Sequence, residues 1–337
     1  MTRKLTYNKK IVFLSALTGA LAIIYILTFV LDPENRRAQA FAWLDSSFID
    51  MADRIEIYGI NGNTELVRRN NAWFYSTGST EYPVKQGRVE DLFAALSRKE
   101  PYPLRATSQE ARQRLGLTED SASRIIVRGG AGLPLLDLLI GRAAAVGSEI
   151  YLRRGGWNEI YSGEDRFTLF TDSNPVSWYD LRLFSGAGSA RSSYTVDSVQ
   201  QADIKPSGSA AYVLRRRGAG WIIQGDESAV LDTTKIDAWL RSVLEVEGVD
   251  FANAIYGDGI FADGNPADGN LANDGFELVD GGVTLRFGDG TSRSIQLGRV
   301  NARNNLGARI TDSPYTYVIE ERLLNLLLRE SSYFLRE

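Results

Sequence analysis

The chain has no cysteine and no histidine in its 337 residues. Without cysteine there can be no disulfide, no thiolate nucleophile and no acylated lipoprotein N-terminus. Without histidine there can be no Ser-His-Asp triad and no imidazole-ligated metal. Lysine is scarce too: beyond residue 10 there are only Lys85, Lys99, Lys205 and Lys235. Chemistry would have to come from carboxylates, hydroxyls or arginine. Gly-x-Ser-x-Gly is absent, as is Ser-x-x-Lys beyond the N-terminal region. Gly129-Gly130-Ala131-Gly132 lacks the spacing of a phosphate loop and runs into Pro134, which opens a strand-like segment. No nucleophile–base set is recognisable, so the sequence reads as a non-enzyme with no required cofactor.

Positive charge is in short supply as well. Lys and Arg number 38 against 42 Asp and Glu. Setting aside Arg3, Lys4, Lys9 and Lys10 leaves the remainder more acidic still, which argues against nucleic acid as a partner. Only one long apolar run exists, Ile11–Leu31, and it carries no charge. At about 1.5 Å per residue it matches a hydrocarbon core of ~30 Å. The basic residues precede it, and Asp32 and Glu34 follow. The positive-inside bias therefore predicts residues 1–10 in the cytoplasm, 11–31 as a single transmembrane helix in the cytoplasmic (inner) membrane, and the rest in the periplasm or outside. A cleaved signal peptide competes, but its apolar region would be shorter, and Ala38-Gln39-Ala40 follows charged Glu34, Arg36 and Arg37.

The remainder reads as two copies of one unit. Arg54-Ile55-Glu56-Ile57, Leu66-Val67-Arg68-Arg69 and Ala72-Trp73-Phe74-Tyr75 form short alternating runs between Gly/Asn turns. So do Ala202-Asp203-Ile204-Lys205, Val213-Leu214-Arg215-Arg216 and Gly220-Trp221-Ile222-Ile223. An amphipathic helix follows each: Val89, Leu92, Phe93 and Leu96 share one stripe, and Ile236, Trp239, Leu240 and Val243 another. Hairpins then end on Gly141-Arg142 and Gly298-Arg299, the second turning at Asp289-Gly290. Further strands are predicted at Glu149–Arg153 and Ala308–Ile310, and short helices near Glu164–Phe170 and Glu320–Leu328. The closing phrases are Tyr179-Asp180-Leu181-Arg182 and Tyr333-Phe334-Leu335-Arg336. The predicted fold class is α+β, with an N-terminal transmembrane helix and two duplicated lobes of antiparallel sheet packed by helices. The expected organisation is a stalk at 32–51, lobes at 52–184 and 194–337, and a Gly/Ser linker at 185–193.

The order of meander, Trp, amphipathic helix, Leu115-Gly116-Leu117 and a strand ending Gly141-Arg142 resembles the bacterial domain-of-unknown-function family numbered 4340, as do the anchor and the tandem arrangement. The resemblance covers roughly residues 50–337 and implies association with ABC-transporter permease and ATPase subunits of the gliding-motility type. It supplies no catalytic residues. The second copy departs from it at 257–275, an Asp/Gly-rich insertion standing where the first copy has Leu115-Gly116-Leu117.

Within that insertion Asp258, Asp263 and Asp268 recur at equal spacing, each before Gly, and Asp274 follows. Carboxylates suit calcium, yet the spacing fits no EF-hand, and a solvated polar loop explains it as well. Arg142 and Arg299 are candidate contacts for an anionic ligand or partner, against the plainer reading of exposed strand-end arginines. Trp73, Trp157 and Trp221 are candidate stacking platforms, with core packing favoured for the repeat-equivalent pair. The expected function is a membrane-anchored, exported accessory of an ABC-type transport or gliding-type assembly. The alternative is a cell-envelope module that binds glycan or peptide between its lobes.

Overall fold

The computed structural model describes residues 17–21, 40–59, 62–144, 147–172, 174–184, 194–252, 276–300, 305–311 and 313–336. Residues 17–21 are helical and exposed, and the rest of the expected transmembrane helix at 11–31 lies outside the described residues. Among the described residues, no helix is long and apolar enough to cross a membrane. The chain forms two compact units, Met1–Val67 with Glu90–Ser173, and Arg68–Val89 with Asn174–Glu337.

In chain order the first elements are β1 (Ala40–Phe41), β2 (Ala52–Gly59), β3 (Gly62–Arg69), β4 (Ala72–Ser76), β5 (Glu81–Pro83), α1 (Gln86–Ser97), β6 (Glu100–Pro101) and β7 (Leu104–Ala106). They are followed by α2 (Gln109–Arg114), β8 (Ser123–Gly129), β9 (Leu133–Ala143), β10 (Glu149–Arg154) and β11 (Ile160–Glu164). Within the first unit the hydrogen-bonded order is β3-β2-β8-β9-β10-β11-β7, with each neighbouring pair antiparallel. Alternation makes these strands: in β2, Ile55 and Ile57 are buried while Arg54 and Tyr58 point to solvent.

The next elements are β12 (Val199–Lys205), β13 (Tyr212–Arg217), β14 (Gly220–Ile223), α3 (Thr233–Leu244), β15 (Asp250–Phe251) and β16 (Phe276–Phe287). Then come β17 (Ser292–Val300), β18 (Asn305–Ile310), β19 (Thr316–Ile319) and α4 (Arg322–Leu327). Their sheet runs β14-β13-β12-β16-β17-β18-β19-β15. From β13 to β15 this repeats the first unit's order strand for strand. The α3 stripe, Ile236, Trp239, Leu240 and Val243, packs into one core with Ala202, Leu214, Leu285 and Leu297. Asp232 caps α3, accepting from the backbone N–H of Thr234 and Lys235. Val89, Leu92, Phe93 and Leu96 of α1 are buried likewise. The mixed α+β class with antiparallel sheets is as read from the sequence. Asp289-Gly290 makes the expected β16–β17 turn, with Gly290 at φ +86°.

Three expectations differ. Residues 40–51 are no stalk: β1 pairs with β6, Trp43 and Leu44 are buried, and the Phe41 ring lies 5.0–5.3 Å from Trp43, Tyr102 and Tyr161. Burying Trp43 and Leu44, with the Phe41 ring packed beside them, draws this segment into the first unit. The expected helix at 164–170 is only a 3-10 turn, Thr168–Phe170, too short to present an apolar stripe.

The third difference concerns the boundary expected at 185–193, which lies outside the described residues; the second unit takes in 68–89 and 174–184. There Lys85 N–H donates to the Trp178 carbonyl, Asp180 N–H to Pro83, Leu183 N–H to Val246, and Gly248 N–H to Leu181. The closing phrase of the first repeat is thus hydrogen-bonded along both edges inside the second unit. Its Tyr179 belongs to a ring cluster centred on Phe251, with Tyr82, Tyr179, Tyr315 and Tyr317 at 5.0–5.2 Å.

Candidate functional site

The sequence-selected motifs of the first unit meet one another. Gly116, at φ +71°, ends α2: Leu117 N–H donates to the Arg112 carbonyl and Gly116 N–H to Gln113. Those two bonds are a Schellman cap, with fully buried Leu117 as its apolar anchor. The cap then docks on the strand end, where Arg142 N–H donates to the Leu115 carbonyl at 2.9 Å. A Cβ at Gly141 would run into that carbonyl oxygen, so glycine is required there. Leu-Gly-Leu and Gly-Arg are therefore two halves of one structural contact. The exposed Arg142 side chain lies across Gly116 rather than in a pocket. Of Arg299 only the backbone is described, opposite Glu277 and Leu306.

The same cap holds a buried charge that no sequence pattern singles out. Arg153 on β10 is 4% exposed. Its Nε and Nη2 donate to the Leu117 carbonyl at 3.2 and 3.1 Å, and its Nη1 to the Trp157 carbonyl at 3.1 Å. Glu119 is its carboxylate, at 3.4 Å, and that group also pairs with Arg124 at 2.8 Å. Arg153 floors a cavity of about 340 Å³ whose walls include Gln109, Arg112, Thr118, Glu119 and Trp157. Arg112 donates from Nη2 to the Asn158 side chain, while its buried Nε has no hydrogen-bond partner. Trp157 is 44% exposed, with the Arg154 guanidinium 5.2 Å from its ring centroid. The signal that could have found the site is the turn Gly155-Gly156-Trp157-Asn158, where a tryptophan stands with no apolar neighbours.

The other two tryptophans are core residues, as favoured. Trp73 and Trp221 are 7% and 6% exposed, each the second residue of its strand, β4 and β14. The Gln86 amide ties α1 to β4 by accepting from Trp73 N–H and donating to Trp73 O, both at 2.9 Å. Trp221 donates to Asp237, and Arg216 lies over its ring.

Titration shifts follow structural contacts. Glu56 is held below the usual carboxylate range by hydrogen bonds from Arg128. Asp250 moves the other way, raised by burial. Asp258, Asp263, Asp268 and Asp274, the calcium candidates, lie outside the described residues. Among the described residues, no group of three or more potential ligands could hold a metal.

A second cavity, about 550 Å³, lies against the second unit's sheet where β16 slips register between Leu278 and Gly282. Asp203, Lys205, Tyr212, Thr284 and Ser294 line it, with the Thr284 and Ser294 hydroxyls 2.6 Å apart.

These features define an α+β protein built on antiparallel sheets, with ion-paired strand faces and small surface hollows. The chain belongs to the domain-of-unknown-function family DUF4340, whose model matches residues 73–273, from Trp73 on β4 through α3 and into the Asp/Gly segment. No curated protein and no solved structure matches it.

Proposed function

We propose that this protein is a membrane-anchored, exported, non-enzymatic accessory of an ABC-type transport or gliding-type assembly, held by residues 11–31 and built from two copies of one unit. The observation that carries the reading is architectural. Two sheets of the same strand order, each meander followed by a helix with a buried apolar stripe, are what duplication of a packing module would leave. Family membership is compatible with the role, and the charge-free run Ile11–Leu31 suits an anchor. The charged strand faces also suit a structural part, because their groups are spent on each other. Arg128 pairs with Glu56 at 2.7 Å and Arg124 with Asp137 at 2.6 Å.

The test is affinity purification of the full chain from detergent-solubilised membranes at native expression. Co-purification of ATPase and permease subunits is the expected result. Recovery of the chain alone, under conditions that preserve other membrane complexes, would contradict it.

A further inference from the structure

We propose that the cavity beside Trp157 is a binding site for a carboxylate-bearing sugar. The inference needs only the first unit and stands apart from the accessory reading. Three kinds of group meet there, and each matches one part of such a ligand. Arg112 presents a half-buried guanidinium in a wall that Arg153 also lines. A planar guanidinium is the side chain best suited to hold a carboxylate through charge-assisted hydrogen bonds. Trp157 offers an exposed indole face, a flat apolar surface on which the C–H face of a pyranose can lie. Gln109 and Thr118 supply side-chain donors and acceptors at the wall, suited to hydroxyl groups.

Charge favours an anion over a neutral sugar. Arg112 and Arg153 line the hollow and Arg154 stands over the Trp157 ring, against Glu119, which is shared with Arg124, and Glu159, which accepts from Asn158 N–H. A cavity of about 340 Å³ sits at the small end of the range for ligand pockets, the size for one or two rings. An extended peptide would need a longer groove or an unpaired strand edge, and these residues form neither. Among the described residues the matching turn of the second unit offers no equal: where β10 leads through Gly156 to Trp157, β18 leads to Ser313, Pro314 and Tyr315, and the Tyr315 hydroxyl is spent on the Glu81 carbonyl at 2.8 Å.

The experiment is calorimetric titration of the full chain with hexuronate oligosaccharides and with N-acetylmuramic acid. Neutral gluco-oligosaccharides and benzoate serve as comparisons. Saturable binding of at least one acidic sugar is expected, weakening as salt is added. Trp157→Ala and Arg112→Gln should each lower the affinity about tenfold or more, the loss of one stacking face or one charged hydrogen bond. Both side chains lie at the surface of the unit, and an unchanged thermal midpoint shows that each variant is folded. Should Trp157→Ala unfold, Arg112→Gln carries the test alone.

Three results would overturn the proposal. One is no saturable binding by any acidic sugar; another is binding indifferent to Arg112→Gln. The third is equal binding of the neutral sugars or of benzoate.

Discussion

In the first unit Arg153 lies opposite Leu139 on β9 and Ile160 on β11. In the second, Arg309 lies opposite Gln296 on β17 and Thr316 on β19, the same place in a sheet of the same order. The two guanidinium groups are held differently. Arg153 gives its hydrogen bonds to the carbonyls of Leu117 and Trp157, in a loop organised by the glycine cap of α2. Arg309 donates to the Thr316 hydroxyl, and burial lowers its pKa. A strand order fixes where a side chain starts. The loops laid over the strand decide whether its charge is met by backbone carbonyls, by a hydroxyl or by a ligand.

The sharpest way to break the comparison is through the matched helices. Leu92 and Leu240 are both fully buried in their apolar stripes. Leu92→Ala and Leu240→Ala should each cost about 3 kcal/mol in urea unfolding. If one were silent, the helices would not be doing the same work. Next comes Gly141→Ala, which sets a methyl against the Leu115 carbonyl and should cost about 2 kcal/mol. Gly87, exposed in the first turn of α1 with open space around it, is the control: Gly87→Ala should be neutral or gain ~0.5 kcal/mol.

Burial raises Tyr58, Tyr102 and Tyr161 in the first unit, but the larger tyrosine shifts lie in the second, so alkaline pH should weigh more on the second. Burial pushes Tyr317 up to about 12, and it also raises Tyr179 and Tyr212, all three in the second unit. A tyrosine whose folded value is raised stabilises below its unfolded value of about 10, and the benefit is lost as pH climbs from there. The second unit should therefore loosen between about pH 10 and 12, seen as cooperative tyrosinate absorbance. Tyr317→Phe should move that transition to higher pH; an unmoved transition would show that Tyr317 does not drive it.

The smallest effects lie on the strand faces. Glu56 meets Arg128 in a two-pronged pair and is largely shielded, so Glu56→Gln should cost about 1 kcal/mol near neutral pH. That contribution is present above the unfolded carboxylate value of about 4.3 and fades as pH falls through the lowered folded value. Asp203, 3.3 Å from a half-exposed Arg286, should give only about 0.3 kcal/mol in Asp203→Asn. Comparable losses in both would mean that burial does not set the difference.

What could be read in advance follows from range. Periodicity exposed the meanders, the helix stripes and the Asp289-Gly290 turn, because each is decided by residues a few positions apart. β7 and β15 were not legible: at three and two residues they are too short to alternate, and pairing with β11 and β19 alone defines them. Nor could sequence place Tyr179–Phe184 in the second unit's core, since hydrogen bonds to Pro83 and Val246 are decided by tertiary packing. Leu115-Gly116-Leu117 and Gly141-Arg142 stood out as motifs, but their meaning as cap and seat needed both to be seen together. Arg153 looks from sequence like any solvated strand arginine, and its burial depends on the loop that covers it.

The claim that one strand order underlies both units is most directly tested by hydrogen–deuterium exchange on the full chain. The account predicts matched profiles, with the central pairs β2/β8 and β12/β16 the slowest in each unit and the edge strands β7 and β15 the fastest. Fast exchange in either central pair, with slow exchange at its edge, would contradict it.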